Sequence, residues 1–459
     1  MYIEGDDQAN RLTGTAEADQ IEGLGGDDTL IGRDGDDSLY GGDGYDVLLG
    51  GDGDDRVIDI NCHVEGGAGD DDLNVYGASD VYGGDGRDIL SASGDGTSAP
   101  IILDGGRGGD QVGALDAAYA TLRGGGGDDS VSLAFNTSMA GDLLVDGGGG
   151  TDFLNLFFGR AHFSRIDLSG LAGGSAYVEE AGLTLSGFET GVVSFYRDAR
   201  AVKVRIGDAD LDVYTLRGND TIVGGRADSV FHAGLGDDLL QGRGGADTLH
   251  GSLGDDTLDG GDGQDTAAYD FNKVHVDLAL EGPQDTGEGL DTLRDIENLT
   301  GGQNSDVLLG DGGANVIADG EDEVFREDGA DTLDGRGGDD VLIARQGEEQ
   351  DQLRGGEGAD RFVFDYSGAI YGPAARDRIM DLAAEDTIDL SRIDANVLTE
   401  GDDAFVLTDR FHGVAGEAVM RYRAKTDLTV LWLDHNGDGR ADMTIVMRGD
   451  HGGFENLVL

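Results

Sequence analysis

The sequence contains a single cysteine, Cys62, and only three prolines among its 459 residues. One cysteine excludes an internal disulfide framework, so stability outside a cell would have to come from another kind of cross-link. We interpret Cys62 itself as an inert small side chain rather than as a nucleophile or a metal ligand. Aromatic residues make up 6% and hydrophobic residues 38% of the chain, so a large globular core is not expected.

Basic residues and long apolar runs are also scarce. Lys and Arg total 31 against 94 Asp and Glu, which gives a formal charge of −63 at pH 7. Such a chain repels nucleic acid and anionic membrane surfaces, and cations are its natural partners. No run approaches the ~20 apolar residues of a membrane helix, so no membrane span is expected. Residues 1–7 have neither a basic start nor an apolar segment, so we expect no cleaved N-terminal signal peptide.

Glycine is abundant instead, with 84 residues, and it recurs together with aspartate at a period of nine. Five nonapeptides run without interruption from Gly14 to Ile58, each with Asp in sixth place and an apolar residue in eighth place. A second block covers residues 215–268, where Ser229 interrupts the Asp series, and a third, less regular block lies within residues 301–363. Between the first two blocks, GGxGxD-like turns are isolated and stand roughly twenty residues apart.

The residue types of one nonapeptide predict a turn followed by a short strand. Glycines allow the unusual backbone of a six-residue turn, and the eighth residue points inward from a three-residue strand. Two units would form one coil, with a strand on each side of a thin core. Coils stacked ~4.8 Å apart bring the sixth-place carboxylates into columns of like charge. Calcium takes about 6–8 oxygen ligands, including carboxylates and carbonyls, and would turn this repulsion into cross-linking.

The candidate calcium ligands are therefore the sixth-place aspartates, with Asp19 and Asp351 standing in the same series. They are Asp28, Asp37, Asp46, Asp55, Asp71, Asp88, Asp110, Asp129, Asp152, Asp220, Asp238, Asp247, Asp256, Asp265, Asp306, Asp331, Asp340 and Asp360. Magnesium fits less well because it demands near-ideal octahedral geometry, and zinc would lack its usual His and Cys clusters. A flexible low-complexity spacer and a phosphate cradle stay open as alternatives, although a spacer does not keep Leu or Ile at every ninth place.

The Asp and apolar columns resemble the repeats-in-toxin (RTX) nonapeptide GGxGxDxUx, a calcium-binding β-helix repeat. From Ala359 onward the chain resembles the C-terminal part of serralysin-like secreted metalloproteases. The segments that carry this likeness are GADRFVFD, DRIMDLAAEDTIDLSRID, FHGVAGEAVMRY and LDHNGDGRADMTIVMRG. The resemblance implies a cap on the β-roll and an uncleaved type I secretion signal. It also implies the type I secretion machinery as a partner and a bacterial extracellular or cell-surface location. Glu455 departs from the pattern, since Asp is common there in that family.

We predict an all-β fold, a parallel β-roll or β-helix solenoid with calcium-binding nonapeptides and a C-terminal β cap. The predicted segments are a first RTX block (1–65), an irregular β-helical region with scattered RTX turns (66–214), a second RTX block (215–268), a strand-rich insert (269–300), a third RTX block (301–363) and a serralysin-like cap and secretion region (364–459). Residues 153–214 either continue the solenoid with longer coils or form a binding face. Residues 434–442 resemble the start of an EF-hand loop, but Ile445 stands where the loop needs Glu, so a partial calcium site and a polar hairpin both stay open.

The catalytic motifs of related enzymes are not found. None of the eight histidines begins an HExxH zinc motif, and no GxSxG elbow occurs, so a protease half and a lipase site are not expected. We predict a secreted calcium-binding protein that folds on binding calcium outside the cell and has a non-catalytic surface, matrix or adhesion role. One alternative is an extracellular polysaccharide-acting enzyme or glycan-binding protein that uses the β-helical face around residues 60–214. Self-assembly and a carrier role in its own export are further open alternatives.

Overall fold

The structure is a computed structural model. It describes residues 1–94, 100–135, 142–159, 165–171, 174–179, 183–196, 201–270, 272–320, 329–345, 350–366, 376–398 and 403–459. Parts of the predicted strand region 153–214, namely residues 160–164, 172–173, 180–182 and 197–200, lie outside the described residues. The described backbone consists of strands and turns without an α-helix, and no helix among these residues could cross a membrane. The chain divides into two compact units, Met1–Leu235 and Gly236–Leu459.

Short strands make up the first unit. They are β1 (Tyr2–Glu4), β2 (Arg11–Thr13), β3 (Gln20–Gly25), β4 (Thr29–Asp34), β5 (Ser38–Asp43), β6 (Asp46–Asp52), β7 (Arg56–Ile60), β8 (Cys62–Ala68), β9 (Asp72–Tyr76), β10 (Asp80–Asp85), β11 (Ile89–Ser93), β12 (Pro100–Arg107), β13 (Gln111–Leu115), β14 (Tyr119–Gly126), β15 (Ser130–Phe135), β16 (Leu143–Gly149), β17 (Phe153–Phe158), β18 (Arg165–Asp167), β19 (Ser175–Val178), β20 (Leu183–Ser186), β21 (Thr190–Phe195), β22 (Lys203–Arg205), β23 (Asp210–Tyr214), β24 (Thr221–Val223) and β25 (Val230–Leu235).

Successive strands of this unit alternate between two parallel sheets. The first sheet contains β1, β3, β5, β7, β9, β11, β13, β15, β17, β21, β23 and β25. The second sheet contains β2, β4, β6, β8, β10, β12, β14, β16 and β20, with β19 antiparallel at its end. Strands β18, β22 and β24 pair in parallel in a smaller sheet. This alternation is the parallel β-solenoid that the sequence predicts.

The register shows that two nonapeptides form one coil. In the first sheet Ile21 pairs with Leu39, two nonapeptides later, and in the second sheet Leu30 pairs with Leu48 at the same offset. These eighth-place side chains are fully buried between the sheets. Because each coil contributes one such residue to each side, the core is thin and extends along the solenoid, as expected from the nonapeptide.

Many strands are longer than the three residues that the sequence predicts, although others, such as β1 and β24, have that length. Strand β3 extends from Gln20 to Gly25, because the ladder continues through the first places of the following turn, where Leu24 pairs with Gly42 and Gly25 with Asp43. The second and fourth places take a left-handed backbone, with φ of 130° at Gly51 and 135° at Gly53. Glycine adopts such angles at no steric cost, so the chain turns while its backbone stays paired.

Longer coils explain the isolated turns between the first two blocks. Asp80 pairs with Ile102 and Phe158 pairs with Phe195, and both offsets exceed the length of two nonapeptides. The extra residues leave the parallel ladder intact, so described residues of the region 153–214 continue the solenoid. Aromatic rings fill its wider core, where the ring centroid of Phe158 lies 5.3 Å from that of Phe135 and 5.0 Å from that of Phe195.

The second unit repeats the parallel arrangement and ends in antiparallel strands. Its strands are β26 (Leu239–Gly245), β27 (Thr248–Leu253), β28 (Thr257–Gly263), β29 (Thr266–Ala268), β30 (His275–Asp277), β31 (Gln284–Asp285), β32 (Leu290–Arg294), β33 (Asn298–Thr300), β34 (Val307–Leu309), β35 (Val316–Ala318), β36 (Thr332–Asp334), β37 (Val341–Arg345), β38 (Gln352–Arg354), β39 (Arg361–Tyr366), β40 (Arg376–Ile379), β41 (Thr387–Ile393), β42 (Val406–Thr408), β43 (Glu417–Arg423), β44 (Leu428–Asp434), β45 (Met443–Arg448) and β46 (Leu457–Val458). Strands β34, β36, β38 and β40 stack in parallel, and the antiparallel ribbon β43–β44–β45 joins this sheet through β40.

Candidate metal centre

The sixth-place aspartates of the first unit form two buried columns. In one column each backbone N–H donates to the Oδ1 atom of the aspartate in the next coil, over 2.7–2.9 Å. This column runs through Asp19, Asp37, Asp55, Asp71, Asp88, Asp110, Asp129 and Asp152. It ends where the Asp152 N–H donates to Glu189 Oε2 over 2.8 Å. The isolated turns of the sequence are therefore consecutive members of one column.

The second column of this unit is short. The N–H of Asn10 donates to Asp28 Oδ1, and the N–H of Asp28 donates to Asp46 Oδ1, both over 2.7 Å. Further along the chain, the N–H of Val202 donates to Asp220 Oδ1 over 2.7 Å. The same kind of bond thus recurs on both sides of the solenoid.

The second unit contains four such series, and they include acids outside the nonapeptides. They are Asp238–Asp256–Asp291, Asp247–Asp265–Glu297, Asp306–Asp331–Asp351–Asp377 and Asp340–Asp360–Asp386. The sequence-based prediction did not include Glu297, Asp377 and Asp386, which no glycine-rich turn precedes. It also did not include Asp291, although Gly287 and Gly289 precede it in the turn TGEGLD. A weaker signal was available, since each acid stands two places before a buried Leu or Ile, as the sixth and eighth places require.

All of the sequence-predicted ligands are buried, with 0–3% of each residue exposed. In most of them the Oδ1 atom accepts a ladder bond, whereas many Oδ2 atoms have no hydrogen-bond donor among the described residues. These oxygens belong to Asp28, Asp37, Asp46, Asp55, Asp71, Asp88, Asp110, Asp129, Asp256, Asp340 and Asp360. A buried carboxylate oxygen without a partner is costly, so it calls for a proton or a cation.

Glycine in first place lets a second oxygen approach each of these carboxylates. A Cβ atom on Gly50 would lie 2.2 Å from Asp55 Oδ2 and 2.5 Å from the carbonyl oxygen of Gly66 in the next coil. The same pair of oxygens meets at Gly23, where the distances are 2.3 Å to Asp28 Oδ2 and 2.5 Å to a glycine carbonyl. Carboxylate and carbonyl oxygens are the ligands that calcium prefers, so the donor set fits this ion.

Burial raises the pKa of several column carboxylates, and neighbouring carboxylates raise it further. The pKa of Asp55 is raised to about 7 and that of Asp71 to about 8, although each also accepts a backbone hydrogen bond that lowers the pKa. In the second unit burial raises the pKa of Asp256 to about 8. Without a counter-ion, the ionised columns are therefore unfavourable in the folded state.

Three buried carboxylates also meet in the third repeat block. Asp319, Asp331 and Asp351 each offer an oxygen, and these atoms lie within 4.8 Å of one another. Asp331 was predicted from the nonapeptide and Asp351 stands in the same series, but Asp319 was not singled out. One of its oxygens accepts a hydrogen bond from the N–H of Arg345 over 2.6 Å.

The fifth-place aspartates form a second ladder that the sequence analysis did not identify. Asp36 Oδ1 accepts from the N–H of Asp54 over 3.1 Å, and Asp54 Oδ1 accepts from the N–H of Asp70 over 2.9 Å. These residues are exposed. They join neighbouring turns at the surface of the solenoid.

The EF-hand-like segment forms the connection of a hairpin. Strands β44 and β45 pair antiparallel on either side of it. Asp434 accepts from the N–H groups of Gly437 and Gly439, and Asp442 accepts from the N–H of His435 over 3.0 Å. Because its carboxylates already hold the loop, the geometry favours the polar hairpin of the two alternatives.

The two ladders and the glycine-lined turns define a parallel β-roll of the RTX kind. Residues 4–39, 31–58, 214–249 and 232–267 match the family model described as RTX calcium-binding nonapeptide repeat. Residues 290–459 match the family model described as Peptidase M10 serralysin C terminal, and no protease-domain model matches. The chain carries RTX calcium-binding repeats and a serralysin-type C-terminal domain, which together point to a secreted, calcium-binding bacterial protein.

A search of curated proteins found no match. Among solved structures, the AlgE6R3 subunit of the Azotobacter vinelandii mannuronan C5-epimerase is 25% identical over 40% of this chain and 86% of its own, with a TM-score of 0.24. The extracellular lipase LipA from Serratia marcescens is 18% identical over 56% of this chain and 45% of its own, with a TM-score of 0.17. TM-scores this low assign no function to the chain.

Replacing Gly50 with Ala should destabilise the first unit. The new Cβ would overlap Asp55 Oδ2 and the Gly66 carbonyl oxygen, and overpacking of this kind costs about 1–3 kcal/mol. The free energy of unfolding by urea in saturating calcium measures the effect. Gly149→Ala is the matched control, because a Cβ at Gly149 meets no atom within 4 Å. Equal stability of the two variants would contradict the close approach at Gly50.

The calcium-free chain should gain β-structure as the pH falls. An aspartate in an unfolded chain has a pKa of about 3.9, whereas that of Asp55 is raised to about 7 and that of Asp71 to about 8 in the folded state. Between about pH 4 and pH 8 the folded state therefore binds more protons, and its stability falls as the pH rises.

Circular dichroism of the full chain in excess chelator checks this dependence. We expect a stronger β-sheet signal at about pH 5.5 than at about pH 8.5. Saturating calcium should flatten the difference, because the ion replaces the proton as the partner of the carboxylates. A β-sheet signal that grows with pH in chelator would show that the columns do not carry raised pKa values.

Proposed function

We propose that the protein is an extracellular calcium-binding protein whose RTX turns fold when calcium enters them, with a non-catalytic role at the cell surface or in the surrounding matrix. The observation that carries this proposal is the row of buried Oδ2 atoms without hydrogen-bond donors among the described residues. The proposed ligands are the sixth-place aspartates named in the sequence analysis, together with carbonyl oxygens of the first-place glycines.

Electrostatics supports coupling between calcium binding and folding. The chain has a formal charge of −63, and folding brings carboxylates together that the unfolded chain keeps apart. A cation that binds only the folded state stabilises it by mass action. Extracellular calcium sites have dissociation constants of about 10⁻⁴–10⁻³ M, so a chain with sites of this strength would stay unfolded at the much lower calcium level of a cytoplasm.

This coupling suits export by a type I system, which the serralysin-type C-terminal domain supports. A chain without stable coils in the cell can pass through the exporter unfolded, and calcium outside the cell then drives its folding. The repeats then determine when the chain folds as well as how stable the folded chain is. It leaves the surface of the folded solenoid available for a target outside the cell.

Calcium titration of the full chain tests the proposal. Circular dichroism in excess chelator at neutral pH should show a largely unfolded chain, and added calcium should produce a cooperative rise in β-sheet signal. Replacing Asp71 and Asp88 together with Asn should raise the calcium midpoint, because both belong to one column. The control is the double variant of the exposed residues Asp43 and Asp52, which changes the net charge equally.

Two outcomes would overturn this proposal. One is a full β-sheet signal in chelator at neutral pH. The other is an equal shift of the calcium midpoint in the two double variants, which would mean that only net charge matters.

An uncharged face of the first unit favours a second candidate function, the binding of a neutral polysaccharide. Five neighbouring strands, β11, β13, β15, β17 and β21, point fifteen side chains or glycines away from the core, and none of the fifteen is charged. They are Ile89, Ser91, Ser93, Gln111, Gly113, Leu115, Ser130, Ser132, Ala134, Phe153, Asn155, Phe157, Thr190, Val192 and Ser194. In a chain with 27% charged residues, this is an unusual surface.

The composition of this face suits a sugar polymer. A middle row of Ser91, Gly113, Ser132 and Asn155 offers small polar groups to hydroxyls. Ile89, Leu115 and Phe153 lie beside that row and are 44%, 39% and 38% exposed. Binding sites commonly combine apolar surface with a few polar groups that fix orientation. An acidic polymer would be repelled by the rest of the chain.

Affinity electrophoresis in gels that contain neutral polysaccharides tests the second candidate function. We expect the calcium-saturated protein to be retarded in one of these gels, and Phe153→Ala to reduce the retardation at least severalfold. Tyr82→Ala is the matched control, since Tyr82 is equally exposed, at 38%, but lies on strand β10 of the other sheet. Absence of retardation for the unaltered protein, or equal losses in both variants, would argue against this face.

A further inference from the structure

The second carboxylate column of the first unit ends abruptly after Asp46. In the next coil Cys62 stands in register with Asp46, where a sixth-place aspartate would continue the column. The coil between them is shorter than a pair of nonapeptides. The N–H of Cys62 donates to Ser79 Oγ over 3.3 Å rather than to a carboxylate. The last aspartate of this column therefore has no carboxylate partner of the usual kind in the coil that follows.

Asp59 places a carboxylate at this point from outside the nonapeptide pattern. It follows the fifth nonapeptide directly and occupies the first place of what would be the next unit, where the repeat has glycine. Only 3% of Asp59 is exposed. Its Oδ1 atom accepts from the N–H of Gly42 over 3.1 Å, while its Oδ2 atom has no hydrogen-bond donor among the described residues.

The free oxygens of Asp46 and Asp59 converge on one spot beside Gly41. A Cβ atom on Gly41 would lie 2.4 Å from Asp46 Oδ2 and 2.3 Å from Asp59 Oδ2. At Gly23 and Gly50 the second oxygen at the corresponding position is a glycine carbonyl from the next coil. Here a charged carboxylate oxygen replaces that neutral carbonyl, so this turn carries one more negative charge than its neighbours.

We propose that Asp46 and Asp59 form a divalent-cation site of their own, which binds calcium and closes the second column at the end of the first repeat block. This inference rests on the proposed calcium-dependent folding, and it adds a ligand that lies outside the GGxGxD turn. Calcium affinity rises with the number of charged ligands, so this site binds more tightly than sites with one carboxylate and a carbonyl.

The neighbouring thiol has a partner of its own, since Cys62 Sγ lies 3.6 Å from Ser79 Oγ. The two oxygens that converge beside Gly41 both belong to carboxylates. The all-oxygen donor set again selects a hard cation.

The test compares variants of the full chain by equilibrium dialysis with calcium alone and by circular dichroism. Asp59→Asn keeps the size of the side chain and its acceptor for Gly42, but removes its charge. We expect this variant to bind one calcium ion fewer than the unaltered protein, or to need several times more calcium for folding. Asp46→Asn and the double variant should lose the same single ion, because two ligands of one ion are not additive. Asp52→Asn, an exposed change in the same block, should bind normally.

The outcomes separate this site from the calcium-dependent folding that it presupposes. An unaltered protein that binds no calcium overturns both proposals. Normal binding by the unaltered protein together with an unchanged ion count and midpoint in Asp59→Asn overturns only this site, and it would indicate that the two carboxylates share a proton. A variant that folds poorly still reports through its calcium midpoint, which must rise more than that of Asp52→Asn.

Discussion

Repulsion between stacked, buried carboxylates is the constraint on which the rest of this structure depends. Successive coils of the first repeat block add aspartates to a column whose members follow one another at the spacing of β-strands, ~4.8 Å. Hydrophobic contacts alone oppose this repulsion only weakly, because the core between the sheets is only one residue thick on each side. The apolar residues set the register in which the carboxylates meet, and under the proposed function a bound cation would neutralise them.

The nonapeptide divides the two oxygens of many sixth-place aspartates between separate tasks. The Oδ1 atom accepts a backbone N–H and fixes the side chain, while the Oδ2 atom faces the space that the first-place glycine leaves open. Glycine has a different purpose at the second and fourth places, where the backbone is left-handed. A single residue type thus meets a need for space at one place and a need for backbone freedom at two others.

Much of this arrangement could be predicted from the sequence, because the nine-residue period determines which residues of neighbouring strands pair. The fold class, the pairing of strands two nonapeptides apart and the burial of the predicted aspartates all follow from it. The predicted length of many strands was wrong, because glycines that continue the ladder were interpreted as turn residues. Acids such as Asp377 and Asp59 were missed because they stand outside the glycine-rich turns, and only the folded coil shows that they lie beside the columns. The six-segment division of the chain stays a prediction.

The hydrogen bonds that join each backbone N–H to the aspartate side chain of the next coil all run in one direction along the column that begins at Asp19. The N–H of Asp19 needs the side chain of Asp37, which in turn needs that of Asp55, so each donor relies on an acceptor nearer the C-terminus. If the coils form from the C-terminal end, each new coil finds an aspartate side chain already in place to accept its backbone N–H. If they form from the N-terminal end, each N–H has no acceptor until the next coil forms. A chain that folds from its C-terminal end would therefore extend this column on a template that is already assembled.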